Sequence, residues 1–597
     1  MVNTLAKFVA FKTISASPKF AGECNQGAAF LRRHCNYLGA KTKLLTTGQD
    51  TNPIVFARFQ ATSPEKFDKT ILFYGHYDIV GADLNRAKWN SDPYQLTSID
   101  GFLYGRGVSD NKGPILASLY AAADLARTKS LRCNVVFLIE GEEESGSQGF
   151  HQTVREHKAE IGSVDYVLLA NSYWLDDYNP CLTYGLRGVV HANLIVTSDH
   201  PDLHSGIDGS SLLDEPVKDL SMLVSTLVGR KGKINLPGFH EAVRPLSEAE
   251  RKRFEAIADV LLPQHPEISD RQALIKSLMY RWREPSLTVH SMEVPGSKSG
   301  TTTIARKAKA SLSIRIVPDQ EADEVAANLT AVAQEQFDLL ESQNELTVEI
   351  TGKSDAWLGD PDNQIFATLS EAITTAWTPD HSQAFKHKHQ YPVPLLASDR
   401  TTLTSGMNTD TSTTGAVGPT SDSATRPNQL LRQSSSDSLA SHVDRVILSS
   451  TTTSSKAAAR KRSSQSTAAV PTSNTLAKSA STQSVDSKAP PTQLLGRPSN
   501  ERSSKMIISD ESPGQETPST PSSASAPPPV KPIFIREGGS IPTIRFLEKE
   551  FCAPAANLPC GQASDNAHLD NERMRVENLF KSRDIFRYVF ANLVDRM

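Results

Sequence analysis

A chain of 597 residues is long enough for two or three domains with real cores, so what it lacks is informative. No apolar run approaches the roughly 18 residues of a membrane span, and no membrane helix is expected. The opening stretch, MVNTLAKFVAFKTISASP, places Leu5, Phe8 and Val9 at helical spacing among lysines, with no small-residue cleavage site. It reads as the first helix of a domain and not as a signal peptide. Cysteine is sparse: Cys24, Cys35, Cys133, Cys181, Cys552 and Cys560 are scattered without a CxxC pair, which favours a reduced, cytoplasmic protein. An excess of one charge is also missing. With 63 Lys and Arg against 67 Asp and Glu, the net charge is -4, and neither nucleic acid nor a membrane surface is an expected partner. Aromatic residues vanish from Pro392 to Ile533, where Ser, Thr, Ala and Pro dominate. Such a stretch cannot bury enough apolar surface to offset ordering entropy, so a disordered insert at residues 392–531 is expected. Lengthening a loop from about ten to about 140 residues costs only roughly 2 kcal/mol, which a folded domain can tolerate.

What is present is a set of strand ends loaded with polar chemistry. Lys69–Asp78 (KTILFYGHYD) is apolar until it ends in His76 and Asp78, which share a face because strand side chains alternate. Asn134–Ile139 (NVVFLI) reads as a buried strand that runs into Glu140, Glu142, Glu143 and Glu144. Carboxylates crowded in this way raise one another's pKa unless a cation neutralises them, and a divalent metal does so most simply. Between these strands, Tyr104–Pro114 (YGRGVSDNKGP) is a glycine-rich turn that presents Asp110 ahead of Pro114, a residue suited to a helix's first turn. Far along the chain, His568 lies in DNAHLDNE. Two imidazoles and several carboxylates form a nitrogen and oxygen donor set that suits zinc. Each motif alone has an ordinary reading, as a hydrogen-bonded strand-end histidine or a solvated acidic loop. Their conjunction points to a metal centre.

The pattern around these motifs alternates. A helix over Gln26–Leu38, strands near Lys43–Thr46 and Pro53–Arg58, a helix over Pro114–Arg127 and a strand over Val164–Ala170 indicate an open α/β sheet. In such sheets ligands collect beyond the carboxyl ends of the strands. After Arg187 a distinct unit runs to about Gly352, with strands at Val189–Val196, Ala310–Val317 and Leu346–Ile350 and helices from Leu212, Ser247 and Glu321. Ser247 followed by Glu250 fits a capping box. In SLSIRIV, Leu312, Ile314 and Ile316 share one face, leaving Arg315 on the other, where its fork can grip a carboxylate or simply face solvent.

GHYD, GRGVSDNKGP, EGEEESGS, PDLHSG, REGGSIP and NAH, in that order, resemble the two-zinc exopeptidases that include carnosinases, Cys-Gly dipeptidases, carboxypeptidase G and acetylornithine deacetylase. The resemblance covers nearly all of the chain outside the insert. It implies the α/β class: a zinc-exopeptidase catalytic domain with an inserted α/β lid that makes a homodimer, here with a long disordered insert. The boundaries it implies are catalytic residues 1–187, lid 188–352, catalytic 353–391, insert 392–531 and catalytic 532–597. It further implies two zinc ions per chain, held by His76, Asp110, Glu144, Asn171 and His568, with Asp110 bridging. Asp78 would orient His76, and Glu143 would be the general base. His204 would reach a neighbouring subunit's site to stabilise the developing oxyanion. Thr302, Arg315 and Ser540 would contact substrate, with Gly538 and Gly539 admitting backbone amides to the ligand.

Asn171 departs from the family, which carries an aspartate in this segment. An amide brings no negative charge, so the second zinc site is expected to be weaker. Asn111, where relatives often have a second aspartate, is a milder departure.

Within the family, NSYWLDD, PCLTYGLRGVV, GVSDNKGP and PDLHSG look most like the metallopeptidase-related subunit of the fungal glutathione-degrading complex. This implies a cytoplasmic zinc-dependent hydrolase of small peptides in glutathione catabolism, paired with a glutamine-amidotransferase-like partner to cleave the γ-glutamyl bond. That subfamily often carries a β-propeller ahead of the peptidase unit; the sequence does not show one, so it is absent or the chain is a shortened gene model. Two alternatives stand beside this reading: a stand-alone dipeptidase of the Cys-Gly type, and a non-catalytic scaffold with a relic metal site. Retention of His76, Asp110, Glu143, Glu144 and His568 counts against the relic, and Asn171 counts against the simple dipeptidase.

Overall fold

The apolar runs of the first part of the chain fold as strands buried on both faces, the condition under which a parallel sheet interior forms. β1 (Lys41–Leu45) and β2 (Ile54–Phe59) precede β3 (Thr70–His76), which is buried along its whole length. A short hairpin of β4 (Thr97–Ile99) and β5 (Phe102–Tyr104) is followed by β6 (Asn134–Glu140), β7 (Tyr166–Leu169) and β8 (Cys181–Leu186). Next come β9 (Gly188–Thr197), β10 (Leu203–His204), β11 (Ser286–Glu293), β12 (Thr303–Ile304), β13 (Lys307–Ile316) and β14 (Glu345–Ser354). β15 (Trp357–Leu358), β16 (Ile533–Glu537), β17 (Ala555–Asn557) and β18 (Arg573–Arg575) complete the set. The computed structural model describes residues 1–46, 51–82, 88–295, 302–378 and 529–596. The expected insert at 392–531 lies outside the described residues except for 529–531.

Among the described residues the main sheet has nine strands in the order β1-β2-β6-β3-β7-β17-β8-β15, with β16 paired to β8. β6, β3, β7 and β17 run parallel, so their carboxyl ends lie along one edge. The chain returns after the insert to supply β17 between β7 and β8. This return is why a motif as late as His568 belongs with the first strands. The helices Gly113–Arg127 and Val576–Asn592 pack on each other, and their apolar faces join the main core.

The second sheet, ordered β11-β13-β9-β14, is antiparallel throughout. Ala308, Ala310, Leu312, Ile314 and Ile316 of β13 share a separate core with the helices Pro216–Leu227 and Ala322–Asp338. Arg315 falls on the other face, as alternation requires.

The helix expected from Leu212 begins at Pro216, because proline has no N–H to leave unsatisfied and fits the first turn. At Ser247 the capping box is half formed: Ser247 Oγ accepts the Glu250 N–H at 3.1 Å. The Glu250 carboxylate, which would complete the box, is instead taken by Arg283 Nε at 3.1 Å and Arg536 Nη1 at 2.6 Å. That helix, Glu248–Leu261, packs with Arg271–Trp282 on Tyr173, Trp174 and Ile535, residues attached to the main sheet. No helix among the described residues is long and apolar enough to cross a membrane. All six cysteines are free thiols, and five of them are buried.

Candidate metal centre

The strand ends bring the expected ligands together. His76 closes β3, and its Nε2 lies 3.0 Å from Asp110 Oδ1. The other oxygen, Asp110 Oδ2, lies 3.1 Å from His568 Nε2, which in turn is 2.9 Å from Glu144 Oε1. Asp110 therefore stands between two imidazoles, one on each oxygen, the placement from which a carboxylate can bridge two cations. His76, Asp110 and Glu144 offer ligand atoms that all lie within 4.8 Å of one another.

Asp78 ties two of these segments together. Its Oδ1 lies 3.4 Å from His76 Nδ1, while its carboxylate accepts the backbone N–H of Glu144 at 2.9 Å and of Glu143 at 3.3 Å. Ser15 Oγ donates to the same carboxylate at 2.7 Å. The main-chain oxygen of Asp78 lies 3.2 Å from the same Nδ1, so one residue touches the His76 ring and holds the turn that carries both glutamates. Of the acidic cluster, Glu140 points elsewhere, accepting from Tyr74 Oη at 2.5 Å and Ser147 Oγ at 3.0 Å, and Glu142 accepts the Asn52 N–H at 2.9 Å. Glu143 and Glu144 are the two whose charges act most strongly on His76 and His568.

The turn that presents Asp110 needs its glycines. Gly107 has φ +83°, and a Cβ on Gly113 would lie 2.3 Å from the Val108 carbonyl oxygen. Glu572, which carries no role in the sequence reading, clamps this turn. Its fully buried carboxylate accepts from Arg106 Nη1 at 2.8 Å, Gly107 N at 2.9 Å, Ser109 N and Oγ at 3.0 Å, and Asp110 N at 3.1 Å. Arg106 Nη2 in turn donates to the Leu569 carbonyl at 3.1 Å. The only local signal was its place in DNAHLDNE, since the partners lie in a turn far away in sequence.

The electrostatics favour positive charge. Burial alone would raise the Asp110 carboxyl, but hydrogen bonds from His568 and His76 hold it well below the usual carboxylate range. Burial also disfavours a charged ring at His76 and His568. The facing carboxylates, Glu143 and Asp110 for His76 and Glu144 and Asp110 for His568, outweigh it and raise both rings well above the ordinary histidine value. Burial first, and then the charges of Glu144, Asp110 and Asp78, push Glu143 well up against the pull of His76. Glu144 Oε2 is buried with no hydrogen-bond donor among the described residues. Imidazole nitrogens, carboxylate oxygens and an orphaned buried oxygen fit a divalent cation of the zinc type.

The remaining candidates are spread more widely. Asn171 follows β7 and is buried, but its Oδ1 accepts the N–H of Ser172, and its own N–H donates to Asn557 Oδ1 at 3.1 Å. Asn111 donates to the Ala170 carbonyl, linking the Asp110 turn to this segment. His204 is exposed on β10, which pairs with β12, and Ser205 N donates to the Thr302 carbonyl at 2.8 Å. The His204 N–H donates to Asp208 Oδ2 at 2.9 Å, and its Nδ1 accepts the Gly206 N–H at 3.1 Å, both within its own loop. Arg315 pairs in β13 with Val189 and Ser286, near Arg187. Ser540 is buried just after β16.

The profile of Peptidase family M20/M25/M40 matches residues 72–399. The chain is 29% identical over 602 residues to "Probable di- and tripeptidase DUG2" of Saccharomyces cerevisiae, covering 99% of this chain and 50% of that protein. It thus spans half the length of that relative. It is 34% identical over 399 residues to "Cys-Gly metallodipeptidase DUG1" of Candida albicans, covering 63% of this chain and 81% of that protein. Among solved structures, that of the dipeptidase Dug1p from Saccharomyces cerevisiae superposes with a TM-score of 0.61 at 22% identity, covering 100% of this chain and 95% of that one. This last likeness is one of fold.

Proposed function

Because the chain belongs to peptidase family M20/M25/M40, we propose that it is a metal-dependent hydrolase of short peptides that works in glutathione catabolism with a glutamine-amidotransferase-like partner. The observation that carries the hydrolase reading is the position of Asp110 between His76 and His568, with Glu144 beside His568. His76, Asp110, Glu144 and His568 would hold divalent cations, zinc by donor type; such cations polarise a peptide carbonyl and acidify a water.

The chain's own residues do the rest. Asp78 fixes the His76 ring and the Glu143–Glu144 turn together. Glu143 takes the proton of the attacking water and passes it to the leaving amine. Arg315, Ser540 and Thr302 grip the substrate, and His204, exposed on its hairpin, serves the site of a second copy in a homodimer made through residues 188–352. Residues 1–187, 353–391 and 532–597 form the catalytic domain in this reading, and its setting is cytoplasmic.

Asn171 favours the partnered reading over a stand-alone Cys-Gly dipeptidase. Its amide oxygen already accepts a backbone N–H and carries no charge, so a second cation is held weakly. The test is zinc per chain, together with cleavage of Cys-Gly and of glutathione, for wild type and Asn171→Asp with and without the partner. Wild type alone is expected to hold closer to one tight zinc and to cleave Cys-Gly slowly, with both raised in Asn171→Asp. Two tight zinc ions and rapid dipeptide turnover by wild type alone would leave the stand-alone dipeptidase as the reading.

A further inference from the structure

The metal centre is braced by a segment from the start of the chain. Thr13 grips the backbone on both sides of Asp78: its Oγ1 donates to the Tyr77 carbonyl at 2.7 Å, and its carbonyl accepts the Ile79 N–H at 2.9 Å. Ser15, two residues on, donates through Oγ to Asp78 Oδ2 at 2.7 Å. Residues 13–15 thus run beside 77–79 as a strap just past the end of β3.

The strap is held in place independently of the Asp78 carboxylate. Fully buried Lys112, from the turn that presents Asp110, donates to the Phe8 carbonyl at 3.1 Å and to the Phe11 carbonyl at 2.9 Å. Ile14 packs with Ile79 and Tyr94 in a small core of its own. A Cβ on Gly27 would lie 2.5 Å from Thr13 Cγ2, so the helix Ala21–Tyr37 lies hard against the strap. Ser15 is therefore presented to Asp78 by a fixed backbone. At Asp78, which is fully buried, the contacts divide: Oδ2 accepts from Ser15 Oγ and, at 2.9 Å, from the Glu144 N–H, while Oδ1 accepts the Glu143 N–H at 3.3 Å and lies 3.4 Å from His76 Nδ1. The Ser15 bond is the shortest of these four, and it comes from outside the strands and turns that carry the ligands. Its ionised acceptor makes it a hydrogen bond of the stronger kind.

We propose that Ser15 is a positioning residue of the metal centre, its hydroxyl fixing the rotation of the Asp78 carboxylate and so the placing of Glu143, Glu144 and the His76 ring. The proposal rests on the reading of this centre as one that holds zinc. Groups that support metal ligands set their orientation and typically contribute about 10- to 100-fold in metal affinity. Ser15 stands one bond further back, which places its effect at the lower end, about tenfold. A strap that only stapled the fold would act on the stability of the metal-free protein and leave zinc affinity alone, so the two quantities separate the roles.

The test is zinc affinity by chelator competition, with thermal unfolding of the metal-free protein, for the full chain and its Ser15→Ala, Ser15→Thr and Ser15→Val variants. Thr and Val are both β-branched and differ by the hydroxyl, so that pair keeps the test open if Ser15→Ala fails to fold. Zinc affinity should fall about tenfold in Ser15→Ala, and in Ser15→Val measured against Ser15→Thr, which stays near wild type, while the metal-free melting temperatures stay together. Zinc affinity that does not depend on the hydroxyl overturns the proposal, as does a loss shared by Ser15→Thr. Wild type that binds no zinc overturns the reading of the centre itself, and the proposal falls with it.

Discussion

The backbone N–H of Asp110 donates to Glu572 Oε1 at 3.1 Å, so the carboxylate between the two histidines is itself held by a carboxylate from the His568 segment. The two segments that meet at the centre are thereby one buried unit, with Arg106 matching the charge of Glu572.

Replacing Glu572 with Gln keeps the shape, removes the charge and turns amide hydrogens toward N–H donors. Residues that support ligands in this way typically contribute 10- to 100-fold in metal affinity, so zinc affinity measured by chelator competition should fall by about that factor. Leaving Arg106 buried without its partner should cost about 3 kcal/mol in denaturant unfolding. Unchanged zinc affinity would mean that the Asp110 turn is held by its own glycines and not by Glu572.

Glu143→Gln tests the proposed base. Peptidase turnover should drop by roughly 10² to 10⁴ while metal content and melting temperature stay as in wild type. A variant as active as wild type removes Glu143 from the mechanism.

Much of the centre was legible because strand periodicity is local. His76 and Asp78 lie two apart at a strand end, and Glu143 with Glu144 follow β6, so alternation and sequence order were enough to mark these strand ends as candidates, while their roles came from the family resemblance. The helix over Val2–Val9 was equally legible, with Leu5, Phe8 and Val9 buried as their spacing requires. What escaped was non-local polar satisfaction. Nothing near Glu572 reveals five donors in a turn hundreds of residues away, and nothing near Glu250 shows that Arg283 and Arg536 compete with the cap for its carboxylate. The helix starts at Pro216 and not at Leu212 because apolar spacing continues upstream of the residue whose missing N–H fixes the first turn.

A pH dependence follows from Glu537, whose carboxyl burial pushes up to about 7 against hydrogen bonds from Thr183 and Ser172. The folded state then binds this proton more tightly than the unfolded chain does. The stability it confers is present at low pH and is lost as pH rises from the ordinary glutamate range through about 7. Glu537→Gln removes this step. In urea unfolding the variant should gain on wild type between pH 5 and pH 8, by no more than about 3 kcal/mol. Parallel profiles would show that Glu537 is ionised at no cost.

Burial pushes the thiols of Cys24, Cys35, Cys133 and Cys560 up to about 12, and that of Cys181 higher still, while Cys552 is exposed. Since the thiolate is the reactive form, native protein at pH 7 should couple one maleimide per chain rapidly, and Cys552→Ser should abolish it. Rapid labelling of a second thiol would reveal local opening of the core.

The pair of His568 and Glu144 spans 424 residues, and β17 must enter between β7 and β8. At about 5–20 residues per second on the ribosome, roughly 20 to 85 s separate the synthesis of the two partners. During that interval Asp110 and Glu144 exist without His568 and without Glu572. The β7 edge meanwhile stands unpaired, a template for other strands until the last part of the chain arrives to close it.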